Sequence, residues 1–212
     1  MEDFMNRYME EGIPTVDTAM LLLEEARILF PGLWVEHSIN AGKAAELIAR
    51  NCKDLNPETA LVLGTLHDIG YRYGNTYMKH ILHGYNFTMD KGYHKVARIC
   101  LTHSFNCHNL KCSFGKYDNF TQEEYAFVKN YIENVEYDDY DQLIQLCDAL
   151  ALPSGYCLME KRMVDVALRH GVHEHIIEKW KATFETKAYF ERKMGKSIYS
   201  VLPGVVDNTL KL

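Results

Sequence analysis

No uncharged apolar stretch of this chain comes near the roughly 18 to 20 residues that a membrane span needs, and no repeat or low-complexity tract interrupts its 212 residues. Basic residues are scarce: 23 Lys and Arg stand against 29 Asp and Glu, giving a formal charge of −6 and a pI near 5.9. Affinity for nucleic acid backbone over a wide face comes from clustered cations. A large nucleic acid is therefore not an expected partner, although a small anion needs only a local basic pocket. The start, Met1-Glu2-Asp3-Phe4, is acidic where a secretory signal is basic. No membrane association is expected, and the expected location is cytoplasmic. The six cysteines form no spaced framework, and a chain this long can bury a core without disulfides. Reduced thiols are the expectation. Cys107 and Cys112 flank His108 as in a zinc loop, but the usual C-x-x-C pairs are missing, and ordinary loop cysteines are the plainer reading.

Strand-like alternation is also rare, while helical periodicity recurs nearly throughout. With 47% apolar residues, the chain reads as all-α and as a single domain over residues 1–212. A first helix is predicted from about Thr15 to Phe30, with Val16, Ala19, Leu22, Leu23, Ala26 and Leu29 facing inward and Pro31-Gly32 ending it. A second covers about Val35 to Cys52, with His37 in its first turn. A third begins at Pro57 behind an Asn56 cap and is apolar on nearly every side up to Leu66, so it reads as buried. Further helices are expected at about Met78–Lys91 and Tyr93–His103, from a Thr121 capping box towards Asn134, and from Asp139 or Asp141 to a stop at Pro153. Between them, Ser104–Phe120 shows no period and reads as a long loop near a site mouth, a candidate lid. The last third reads as two amphipathic helices, about Gly155–His170 and Glu174–Met194, parted by Gly171. The tail from Ser197 carries too little pattern to assign.

The organising stretch is Leu66-His67-Asp68-Ile69-Gly70. Neighbouring side chains on a helix point about 100° apart. His67 and Asp68 can therefore serve one centre only where the backbone leaves the helix, and Gly70 is the expected exit. A buried carboxylate beside a buried imidazole is costly without a partner, and a divalent cation satisfies both. The plainer alternative is a solvated pair at a helix C-cap. Seven of the ten histidines fall between His37 and His108, spread over successive helices. In order come His37, then His67 with Asp68, then His80 or His83, then His103, and last Asp148 near the end of a later helix.

This order resembles the HD superfamily of metal-dependent phosphohydrolases. The likeness is carried by His37-Ser38 opening a helix, Leu66-His67-Asp68-Ile69-Gly70, Leu101-Thr102-His103 and Cys147-Asp148-Ala149-Leu150, over about Trp34 to Pro153. It implies a helical bundle of the HD type, with a metal-binding core at about 34–153 and a C-terminal helical extension at 154–212. It also implies a first cation held by His37, His67, Asp68 and Asp148. Two imidazoles and two carboxylates suit iron, manganese, nickel or zinc better than calcium. His80-Ile81-Leu82-His83-Gly84 matches the H-x-x-x-G pattern of dinuclear members with His80 as ligand, while His83, next to the glycine, is the competitor. With His103, His80 would complete a second metal site bridged by Asp68; otherwise the two line a one-metal pocket and touch the substrate phosphate.

Asp68, His80 and His103 are the catalytic residues this resemblance implies, and Arg72 joins them as a candidate from its own chemistry. Many members carry Lys after the glycine of the motif. Here Tyr71 stands in that place and Arg72 follows, as a phosphate clamp or as a solvated loop arginine. Ser104-Phe105 after His103 replaces the second histidine and Gly-Tyr-Pro of the cyclic-dinucleotide branch and argues against it. Lys161-Arg162 needs no explanation beyond surface charge, with a role in the pocket as the alternative, and His173-Glu174-His175 reads as surface. The implied activity is hydrolysis of a phosphate ester or anhydride in a small phosphorylated substrate, with a nucleotide as the leading choice and one or two divalent cations as cofactor. An HD-type di-iron oxygenase and a non-catalytic nucleotide-binding module are the alternatives, and a homodimer is an assembly left open.

Overall fold

The computed structural model describes residues 12–113 and 115–210; the acidic start Met1–Phe4 and the last two residues lie outside them. Ten α-helices and one two-stranded hairpin are found among the described residues, in keeping with the all-α expectation. Thr15 caps α1 (Val16–Leu29), its Oγ1 accepting from the Thr18 amide at 3.2 Å. Ala19, Leu22, Leu23 and Ala26 recur at helical spacing and are buried, but Leu29 is 59% exposed in the last turn, beyond the reach of the core cluster.

Helices α2 (Trp34–Ala49) and α3 (Pro57–Leu66) pack backbone against backbone. A Cβ on Gly42 would lie 2.7 Å from Leu61 O, and one on Gly64 would lie 2.7 Å from Gly42 Cα. Only residues this small permit the approach. It sets His37, early in α2, beside His67 at the end of α3, with ring centroids 5.3 Å apart. Helix α3 starts as expected, with Pro57 in its first turn and Asn56 Oδ1 accepting from the Thr59 amide at 3.0 Å.

A 3-10 turn (Ile69–Tyr73) leads to α4 (Lys79–Asp90), α5 (His94–Thr102), α6 (Gln122–Asn134) and α7 (Asp139–Asp148). Thr121 and Glu124 form the expected capping box. Helix α7 starts at Asp139, one of the two positions read from sequence, behind an Asp138 cap whose capping-box partner is Asp141. Asp141 also buckles α7 to α5: its buried carboxylate accepts from Arg98 Nη2 at 2.6 Å, Thr102 Oγ1 at 2.7 Å and the Asp138 amide at 2.9 Å.

After α7 the chain forms an antiparallel hairpin, β1 (Ala151–Leu152) with β2 (Gly155–Tyr156), Ala151 opposite Tyr156. Strands of two residues have no period to read, so the next helix, α8 (Met159–His170), begins four residues later than the Gly155 start expected. Helix α9 (Ile176–Met194) ends at Gly195, whose φ of 69° is left-handed. The unassigned tail forms a 3-10 turn (Ile198–Ser200) and α10 (Val205–Leu210).

One apolar cluster runs from α1, α2, α3 and α7 into Met159, Met163, Phe190, Ile198 and Val205. A smaller one joins Ile81 and Leu82 of α4, Leu101 of α5 and Val128 and Ile132 of α6 to Phe105 and Leu110. Residues 104–113 are therefore anchored, not a free strap. Phe105, Leu110 and Cys112 are buried, and the Tyr137 hydroxyl donates to Phe105 O at 2.5 Å.

Candidate metal centre

Five segments end, or nearly end, at one place. His37 comes from the start of α2, His67 and Asp68 from the exit of α3, His80 from the first turn of α4, His103 from just past α5, and Asp148 from the last position of α7. His67 is still helical (φ −57°, ψ −34°), whereas Asp68 is not (φ −103°, ψ 13°), and this break turns both side chains towards one point. The exit thus occurs at Asp68, two residues before the glycine that was expected to supply it. Gly70 serves a different need, since a Cβ there would sit 1.8 Å from His80 O. It lets α4 close onto the 3-10 turn and carry His80 inward.

Each of the four imidazoles donates its Nδ1 proton to a backbone carbonyl: His37 to Ala151 O (3.1 Å), His67 to Gly64 O (2.7 Å), His80 to Tyr77 O (2.5 Å) and His103 to Ile99 O (3.2 Å). That pattern leaves the Nε2 lone pairs free and aimed at the shared centre, the tautomer a metal ligand needs. Tyr71 stacks on the His80 ring with centroids 4.3 Å apart and planes 7° from parallel, holding it in place.

The donors divide into two overlapping groups. Asp148 Oδ1 lies 3.0 Å from His37 Nε2 and 4.0 Å from His67 Nε2. Asp68 Oδ2 lies 3.4 Å from His67 Nε2, while its Oδ1 lies 3.3 Å from His80 Nε2 and 3.4 Å from His103 Nε2. Ligands each about 2.0–2.2 Å from one ion stand roughly 3.0–3.4 Å from each other, so these spacings fit a cation. The buried His67 Nε2 has no hydrogen-bond partner, and a cation is the partner that would satisfy it.

The electrostatics agree. Burial alone would push the His67 imidazole down, but the Asp68 and Asp148 carboxylates outweigh it and raise the group to about 9. Burial works against ionised Asp68 too, yet the surrounding His67, His103 and His80 hold its carboxyl well below the usual range. Asp148 is lowered against the same penalty, chiefly by His37. Without a cation, the two carboxylates hold a proton on His67 in its place.

The other residues singled out from sequence fare differently. His83 lies off the centre, its Nδ1 3.4 Å from Thr76 Oγ1 and its ring edge-on to Tyr73. Arg72 is not where a phosphate clamp would need it: its guanidinium lies over the Phe87 ring, 3.8 Å from the centroid, and it does not line the cleft above the centre. The 3-10 turn rotates it away. That cleft, of about 870 Å³, takes its positive charge instead from Arg162, Arg169, Lys116 and Lys179. Lys161 stays outside while its neighbour enters. Arg162 and Arg169 are seven positions apart, two helical turns, and so share one face of α8. That spacing was the available signal for Arg169. Lys179, on α9, donates to Ser104 O at 3.1 Å.

The HD domain family model matches residues 34–152, 119 of the 212 positions. The chain belongs to the HD domain family. HD domains are generally metal-dependent phosphohydrolases, and the clustered His and Asp side chains here could hold such a metal. The comparisons match no curated protein and no solved structure. The HD match stops at Leu152, so all six converging side chains fall inside it, whereas Arg162, Arg169 and Lys179 come from the helices beyond. No helix among the described residues is long and apolar enough to cross a membrane.

Proposed function

We propose that the chain, folding as one unit from the HD core through the C-terminal helices, hydrolyses a phosphate ester or anhydride of a small molecule, with a nucleotide as the leading candidate. The observation that carries this reading is the shared carboxylate: Asp68 turns one oxygen to His67 and the other to His80 and His103. His37, His67, Asp68 and Asp148 would hold one cation, and Asp68, His80 and His103 a second. Divalent cations so placed supply a bound water of lowered pKa and polarise the phosphoryl oxygens. Arg162, Arg169, Lys116 and Lys179, which line the same cleft, bind and orient the anionic groups of the substrate. Trp34 and Trp180, also lining the cleft, offer flat apolar surface to a base.

The test is turnover. Purified protein supplied with manganese or iron should release phosphate from members of a nucleotide panel, and His67→Ala and Asp68→Ala should abolish that release. No hydrolysis of any member under either metal would rule the reading out. The two-part donor set also suits a di-iron pair that consumes oxygen. The four cationic side chains around the cleft favour a phosphorylated substrate, and oxygen uptake without phosphate release would select the oxygenase instead.

A further inference from the structure

A second group of donors meets away from the HD centre, where the loop after α5 touches the first turn of α9. One Sγ each from Cys107 and Cys112 and a carboxylate oxygen of Glu178 lie within 4.8 Å of one another. We propose that these three side chains form a zinc site of their own. Both thiols are free, Cys112 is fully buried, Cys107 is half-buried and Glu178 reaches solvent. Two thiolates with one carboxylate suit borderline-soft Zn²⁺, not magnesium or calcium, which take oxygen donors. Four residues separate the cysteines, within the spacing zinc loops use, and the fourth coordination position falls to solvent beside the exposed Glu178.

Read from sequence, the pair lacked a partner, and His108 between them was the only imidazole at hand. The structure turns His108 away: its Nδ1 donates to Ile132 O at 3.2 Å and its ring stacks on Tyr137 at 3.8 Å. The partner is instead a carboxylate from a distant helix. His175, one turn earlier, lies with Nδ1 3.2 Å from Glu178 Oε2 and orients that carboxylate, as the outer partners of metal ligands do. Burial pushes both thiols upward, so they are protonated when metal-free and would release protons on binding.

The consequence is mechanical. Ser104, Asn106 and Ser113 of the same loop line the cleft, as does Lys179, the neighbour of Glu178. A cation shared by Cys107, Cys112 and Glu178 would clamp that wall of the cleft to α9. The site stands or falls independently of the hydrolase reading.

Cobalt(II) titrated into the purified full-length protein tests it, because thiolate-to-cobalt charge transfer absorbs in the near ultraviolet and the HD centre offers only nitrogen and oxygen donors. The expected result is a thiolate band whose limiting intensity corresponds to one thiolate-bound cobalt per chain, with any further cobalt taken up at the HD centre adding nothing to it. It should persist in His67→Ala, vanish in Cys107→Ser and Cys112→Ser, and need at least tenfold more cobalt in Glu178→Gln. Bound zinc should also fall by one per chain in Cys107→Ser. Cys107 is only half-buried, so that variant carries the test should Cys112→Ser fail to fold. Absence of the band, its survival in Cys107→Ser, or a Cys107–Cys112 disulfide in freshly reduced protein would overturn the proposal.

Discussion

Gly70→Ala is the sharpest perturbation the structure offers. The backbone at Gly70 does not lie in the left-handed region, so alanine meets no conformational penalty there and only space is at issue. Its Cβ would lie 1.8 Å from His80 O and 2.6 Å from Gly84 N, both backbone atoms that no rotamer change can move. Real contacts are essentially never under 3.0 Å, so the carbonyl must retreat by at least 1.2 Å (3.0 − 1.8). The gap from His80 Nε2 to Asp68 Oδ1, now 3.3 Å, would open to as much as 4.5 Å (3.3 + 1.2). His37, His67 and Asp148 stand on α2, α3 and α7 and are left in place. Overpacking of this kind costs about 1–3 kcal/mol, which for a chain of this size is roughly 2–12 °C in Tm. The variant should keep its helical circular dichroism, melt earlier and carry one cation per chain fewer than the parent, read by metal analysis after gel filtration. A Gly70→Ala protein with the parent's cation content and an unchanged Tm would refute the account of how α4 is brought to the centre.

Other outcomes follow from the same geometry. In the metal-free protein His67 is raised to about 9 from an ordinary 6.5, so the stability it contributes is present below about pH 6.5 and lost as the pH rises through about 9. The urea midpoint of metal-free protein should fall across that window and that of cation-loaded protein should not; a flat metal-free profile contradicts this. A charged hydrogen bond is worth about 1.5–3 kcal/mol, so Arg169→Ala should raise KM for a phosphorylated substrate roughly ten- to a hundredfold with kcat little changed. Arg72→Ala should leave KM where it was, and steady-state kinetics on both variants decides the matter. Asp141→Ala removes the acceptor shared by Arg98 and Thr102 and leaves the partly exposed guanidinium without its carboxylate, a loss of roughly 1.5–3 kcal/mol by urea denaturation. A loss under about 1 kcal/mol would show that the buckle between α5 and α7 is not holding them.

The first nine helices and their order were legible in the chain itself, while the short α10 of the tail was not. Asn56-Pro57, Thr121 with Glu124 and the apolar stripes are local signals, and local signals survive whatever the rest of the fold does. The order of His37, His67-Asp68, His80, His103 and Asp148 was legible too, because each stands at or near the end of an element, where side chains can point along the bundle. Periodicity reports which residues of a helix share a face. It does not report which face another helix will meet, and there the tertiary structure decided. Gly70 and Gly84 let α4 close in with His80 forward and His83 aside; the 3-10 turn lays Arg72 on Phe87 and leaves the anion wall to Arg162 and Arg169. Glu178 reaches Cys107 and Cys112 only because α9 folds back across the loop, a meeting set by packing between parts of the chain far apart in order.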